Sequence, residues 1–174
     1  MKDLKMRSAL GFASFVATVG LVLHAQSIEI TPKTILEAHN VIAKPVEYRG
    51  KNAMEIRDAA PQPGDELSRM ALIKEVTLRD GTIEVSLTGD TAVDAPANFR
   101  GFVGIAFHIG LDRSRYECLY LRPKNGRSSD PVQRGHSAQY ESEPEFPWDR
   151  LRAEAPGKYE SYVDLAPGEW TRED

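Results

Sequence analysis

Thr82-Ile83-Glu84-Val85-Ser86-Leu87-Thr88 alternates polar and apolar residues without a break, the pattern of a strand with one wet face and one buried face. Asp80-Gly81 stands immediately before it. Asp-Gly readily takes the positive φ angles of a two-residue hairpin turn. Closing the chain there sets Leu78 opposite Ile83 and Val76 opposite Val85 on one face, so turn chemistry and hydrophobic pattern agree.

A second hairpin is expected from Gly101 to Arg122. On its first strand Val103, Ile105, Phe107 and Ile109 form an apolar face, with Gly104, Ala106 and His108 on the other. A four-residue loop at Leu111-Asp112-Arg113-Ser114 sets Tyr116 opposite Ile109, Glu117 opposite His108 and Leu119 opposite Ala106. Shorter strands are expected at Val46–Tyr48 with Ala53–Arg57 across Arg49-Gly50-Lys51, at Ser137–Glu141 and at Tyr159–Leu165. One or two helical turns fit Trp148 to Ala155, stopped by Pro156-Gly157, and Pro61-Gln62-Pro63-Gly64 reads as a loop. Many short strands with one brief helix make an all-β, antiparallel sandwich. Pro167-Gly168 followed by Glu169-Trp170 opens another strand just before Asp174, so the expected sandwich is short of C-terminal strands. It is either a fragment or takes a strand from a partner.

The first residues have the parts of an export signal. Lys2, Lys5 and Arg7 give a basic start, Ala9 to Leu23 an uncharged apolar run, and His24-Ala25-Gln26 a small residue for cleavage. The run is shorter than the about 20 residues of a membrane span, and no second one follows. Residues 1–25 are therefore expected to be a signal peptide, and 26–174 one exported domain, periplasmic or extracellular, with no membrane span in the mature chain. The whole chain carries a net charge of −4, and removing a basic leader makes the remainder more acidic. That argues against a nucleic-acid partner, which needs a basic face. Cys118 is the only cysteine, so no internal disulfide forms. An inert, buried thiol is expected there.

Several familiar sites are absent: no His-Glu-x-x-His, no paired CxxC, no phosphate-cradling glycine loop, no G-x-S-x-G elbow and no Asp-rich calcium loop. Neither a metal nor a cofactor is expected. Glu141, Glu143 and Glu145 would share a face if extended, which is how some glycosidases present an acid and a nucleophile from one strand, but Pro144 and Pro147 interrupt the stretch, and a solvated loop is expected over a catalytic strand. His108 and Glu117, facing each other beside Gly104 and Ala106, form a pair able to move a proton or to bind a hydroxyl. Arg122, Asn125, Arg127, His136, Gln139, Tyr140 and Trp148 supply guanidinium, amide and aromatic groups of the kind that bind sugars through hydroxyl hydrogen bonds and ring stacking. A plain surface loop with a few packing aromatics fits the same residues.

The chain also resembles a known group. Gly104-Ile105-Ala106-Phe107-His108 followed by Tyr116-Glu117-Cys118-Leu119 is similar to a motif of the concanavalin A-like domains known as 3-keto-disaccharide hydrolases. The run Tyr116 to Arg127, with His136-Ser137-x-Gln139-Tyr140 and Pro147-Trp148-x-Arg150-Leu151-Arg152, resembles an exported bacterial branch of that superfamily. The likeness spans about residues 45–172. It implies a jelly-roll β-sandwich with a carbohydrate site on its concave face, and it makes Glu117 the first site residue. His108 stands where the family has arginine, and Leu119 where it has glutamine. The expectation is an exported carbohydrate-active domain cleaving a glycosidic, 3-keto-sugar linkage, with Glu117 as acid/base and His108 as its neighbour. The alternative is a non-catalytic, lectin- or laminin-G-like carbohydrate-binding module.

Overall fold

The computed structural model describes residues 36–59, 69–74, 76–77 and 81–173. The expected signal peptide, the expected Pro61–Gly64 loop and the Leu78–Asp80 arm of the first expected hairpin lie outside them. Among the described residues the fold is all-β and antiparallel, with three short helices. None of these helices is long and apolar enough to cross a membrane.

Strand β1 (Leu36–His39) pairs with β4 (Met70–Ile73). Strands β2 (Val41–Tyr48) and β3 (Lys51–Asp58) form a hairpin in which Tyr48 faces Lys51. Its turn is the two residues Arg49 and Gly50, at φ 47° and 75°. Positive φ at both central positions matches the twist of the flanking strands, so this hairpin runs longer and turns tighter than the sequence suggests.

The opening stretch folds differently from its reading. Only Val85–Leu87 is extended (β5), and its partner is β10 (Thr171–Glu173), with Val85 opposite Glu173. Val76 lies in no strand. Alternation shows which face of a segment is buried but not which strand lies beside it, and the C-terminal segment takes that place here.

The remaining strands make one sheet in the order β6 (Val103–Phe107), β7 (Tyr116–Leu121), β8 (Ala138–Glu143) and β9 (Glu160–Ser161). The second hairpin exists, but its register is one residue off the expected one. Phe107 faces Glu117, Ala106 faces Cys118 and Ile105 faces Leu119. The strand ends at Phe107 because His108 adopts a left-handed φ of 51°, and Ile109 lies beyond it. Strand β8 continues through Glu143 and stops before the cis bond to Pro144. Glu141 and Glu143 are thus strand residues, not parts of a solvated loop. Conversely, the expected strand from Tyr159 to Leu165 shortens to β9.

Between β7 and β8 lie α1 (Pro123–Gly126) and α2 (Pro131–Gly135), neither foreseen. Both begin with proline, whose fixed φ suits a first helical position. Asp130 caps α2 by accepting the Val132 amide at 2.8 Å. Helix α3 (Trp148–Glu154) follows β8 and buries Leu151.

One face of the sheet packs Leu121 and Ala138 on Leu165, with Val103 and Val163 against them. Each fully buried aliphatic side chain of this kind contributes about 1.5–3 kcal/mol. The other face is tight at one point. A Cβ on Gly104 would come within 2.5 Å of the Tyr120 Cβ on the neighbouring strand. Gly104→Ala is therefore expected to destabilise the chain by about 1–3 kcal/mol, measured by chemical denaturation.

Candidate functional site

In an antiparallel sheet, residues directly opposite share a face, and the face alternates along each strand. The observed register therefore sorts the polar residues into two groups. Tyr116, Cys118, Tyr120 and Arg122 project to one side, joined by Gln139, Glu141 and Glu143 of β8 and Glu160 of β9. Glu117, Leu119, Leu121 and Tyr140 project to the other. A large open hollow lies over the first side, with Tyr116, Cys118, Tyr120, Arg122, Glu141, Glu143, Trp148 and Arg152 on its wall.

Arg122 anchors the closed end of that face. Its side chain is 8% exposed. It donates from Nη1 to the His136 carbonyl at 2.9 Å and from Nη2 to Tyr120 Oη at 3.0 Å and Gln139 Oε1 at 3.3 Å. Its plane lies over the Phe102 and Tyr120 rings, 5.7 and 5.0 Å from their centroids. Burial lowers its pKa, with neighbouring Arg152 acting the same way. Gln139 is equally enclosed, giving its amide to the Tyr140 and Tyr159 carbonyls. Asn125 donates to the same His136 carbonyl at 3.2 Å.

Glu160, 3% exposed, is the counter-ion. Arg152 Nε lies 3.1 Å from both of its oxygens, and Nη2 also donates to it. Arg122 stands 3.8 Å away and His136 Nε2 3.5 Å. Burial lowers the His136 pKa, opposed by Glu160. Arg152 in turn lies over the Trp148 ring, 4.7 Å from its centroid, which leaves the indole 43% exposed beside the hollow.

At the open end stand the carboxyls of Glu141 and Glu143. Burial raises both above the usual carboxylate range, and each has a second carboxylate adding to the rise, Glu143 for Glu141 and Asp149 for Glu143. Tyr116 is pushed up to about 12, mainly by burial, and Tyr120 is also raised by burial. At neutral pH both phenols are donors. The face therefore offers an exposed indole, two phenols, two carboxyls raised by burial and a fixed guanidinium–amide floor.

The sequence-derived site residues divide accordingly. Arg122, Asn125, His136 and Gln139 are joined in one network, and Trp148 reaches it through Arg152. Arg127 stands apart on the surface, paired with Asp164 at 2.9 Å and Glu169 at 3.4 Å. Glu117 and Tyr140 form a separate group on the opposite face, and His108, which itself borders the hollow at the sheet edge, joins them. There Tyr140 Oη donates to Glu117 Oε2 at 2.6 Å, and His108 Nδ1 lies 2.7 Å from Oε1. Those two hydrogen bonds, the tyrosine's first, hold Glu117 below the usual carboxylate range. Tyr116, Tyr120, Glu141, Glu143, Arg152 and Glu160 were not foreseen as site residues. Strict i, i+2 spacing along β7 and β8 is the signal that carries the first four. Among the described residues no cluster of potential metal ligands occurs.

Comparison with protein-family models, with curated proteins and with solved structures finds no match to this chain.

The raised carboxyls have a consequence for stability. The folded chain keeps these protons to higher pH than the unfolded chain, whose carboxyls titrate near the ordinary 4.5. Their contribution to stability therefore declines as pH rises from that value through the raised one. Glu141→Gln keeps the shape and removes the charge. It is expected to raise Tm at neutral pH and to flatten the decline, measured by thermal unfolding from about pH 4 to 8.

Proposed function

We propose that this chain is an exported, carbohydrate-active β-domain that holds a sugar against the hollow face of its four-stranded sheet, in a jelly-roll arrangement of the concanavalin A-like kind. The observation that carries the reading is the shared face of Tyr116, Tyr120, Glu141 and Glu143, flanked by the exposed Trp148 indole. Sugars present an apolar ring face and a rim of hydroxyls. An indole serves the first, and phenols and carboxyls the second. The floor is preorganised, because Arg122, Gln139 and Arg152 are already fixed by partners and lose little freedom when a ligand arrives. The resemblance to 3-keto-disaccharide hydrolases supports the same ligand class, and the basic-then-apolar leader supports a place outside the cytoplasm.

Cleavage of a glycosidic linkage is favoured over binding alone by one feature. Glu141 retains its proton above the ordinary carboxylate range while lining the hollow, as a group that protonates a leaving-group oxygen must. Under this reading the catalytic carboxyl belongs to Glu141, not to Glu117, whose side chain points to the opposite face.

Isothermal calorimetry of the mature chain against oligosaccharides and their 3-keto derivatives tests the binding. Trp148→Ala is expected to weaken the best ligand about tenfold, roughly 1.4 kcal/mol; a ligand unaffected by it sits elsewhere. Glu141→Gln is expected to cut turnover by about 10²–10⁴ with affinity retained. A lectin- or laminin-G-like module would show no turnover in either form.

A further inference from the structure

We propose that His108 Nε2 is a second functional group of this domain, a proton acceptor held in place by Glu117 and Tyr140, which takes the hydrogen of a hydroxyl group. It lies outside the constellation assigned above to sugar binding and cleavage, and neither of those uses it.

The backbone supplies the first argument. Regular alternation would send His108, one residue after Phe107, to the hollow side with Ala106. Its φ of 51° instead takes it out of the ladder and brings the imidazole to Glu117, 2.7 Å away. A residue with a Cβ is strained in that region and glycine is not. Histidine is one of the few side chains that takes this region with some frequency, and here it does so with its ring on the Glu117 carboxylate.

The hydrogen bonds supply the second. Both oxygens of Glu117 are occupied, Oε2 by Tyr140 Oη and Oε1 by His108 Nδ1. Glu117 is thereby held ionised and has no proton to give. In the neutral ring one nitrogen carries hydrogen and the other a lone pair. The nitrogen facing a carboxylate carries the hydrogen, which leaves the lone pair on Nε2. The histidine side chain is 57% exposed and Glu117 31%, so the open end of the chain Tyr140–Glu117–His108 is the imidazole. Tyr140 is itself fixed by stacking on Tyr159, with ring centroids 5.9 Å apart, and its strand is paired on both edges. The sequence-based roles are therefore reversed: His108 contacts the reacting hydroxyl, and Glu117 and Tyr140 are positioning residues. In the step itself the hydroxyl proton moves to Nε2, its bonding pair stays on oxygen, and the imidazolium formed is paired with the Glu117 carboxylate.

Carbethoxylation of histidine by diethyl pyrocarbonate reads the Nε2 lone pair directly and needs no known substrate. The full chain is treated at about pH 8, above the ordinary histidine range, and modification of His108 is timed by mass spectrometry. Glu117→Gln is expected to slow it about tenfold, the scale of losing a histidine's orienting carboxylate, with a smaller loss for Tyr140→Phe and partial recovery in Glu117→Asp. His108→Gly is expected to leave Tm unchanged or higher. A His108 rate within threefold of the parent in Glu117→Gln, at unchanged Tm, would overturn the proposal. A marked fall of Tm in His108→Gly would overturn it too, because the histidine would then be structural. An oligosaccharide that raises Tm and shields His108 identifies the hydroxyl as the sugar's.

Discussion

The guanidinium of Arg122 is the constraint around which this sheet is arranged. A buried cation must find its hydrogen-bond acceptors and counter-charge inside the protein. Arg122 draws on the His136 carbonyl from the end of α2, on Tyr120 of β7, on Gln139 of β8 and on Glu160 of β9. One side chain thereby fixes the α1–α2 connection, the β7–β8 pair and β9 relative to one another. Glu160 extends the same tie to Arg152 and so to α3. Removing one partner from a buried ion pair costs about 3–5 kcal/mol, as much as deleting a large core side chain. With an apolar cluster built on only Leu121, Ala138 and Leu165, the polar network is the stronger determinant of geometry at this end of the molecule.

The same network separates two kinds of chemistry by the period of a strand. At the closed end of the hollow face the charges are already matched, which makes a rigid floor. At the open end partial burial raises both Glu141 and Glu143, with Glu143 adding to the rise of the first and Asp149 to that of the second. On the opposite face, Glu117, between Tyr116 and Cys118 in sequence, meets two hydrogen-bond partners and is held below the usual carboxylate range. Three glutamates within two adjacent strands thus have opposite acid–base character, set by burial and neighbouring carboxylates for two and by two hydrogen bonds for the third.

Much of this architecture was legible in the sequence. Alternation in Val103–Phe107 and Tyr116–Leu121 marked a hairpin, Pro156-Gly157 marked the end of α3, and the polar stretch from Arg122 to Trp148 held most of the network. The register was not legible, because it turns on His108 leaving the strand with a left-handed φ, which nothing in the local pattern requires. That single residue shifts every cross-strand pair by one position, yet His108 and Glu117 still meet, since the same turn swings the ring toward the carboxylate. Partner choice was equally hidden. The alternating segment around Val85 has a buried face whichever strand adjoins it, and a long-range contact with Thr171–Glu173 leaves no local trace. The strand expected to end at Glu141 continues through Glu143 and stops before the first proline, so of the carboxylate run read as a loop only Glu145 lies in the turn.

The measurement that bears most directly on the account is backbone and side-chain NMR shift mapping of residues 26–174 titrated with an oligosaccharide that raises their Tm. The account predicts saturable shifts concentrated at Tyr116, Tyr120, Glu141, Glu143 and the Trp148 indole, with the Arg122 and Gln139 side chains nearly still. Shifts confined to the opposite face, around Leu119, Leu121 and Ala138, or spread evenly over the chain, would contradict it.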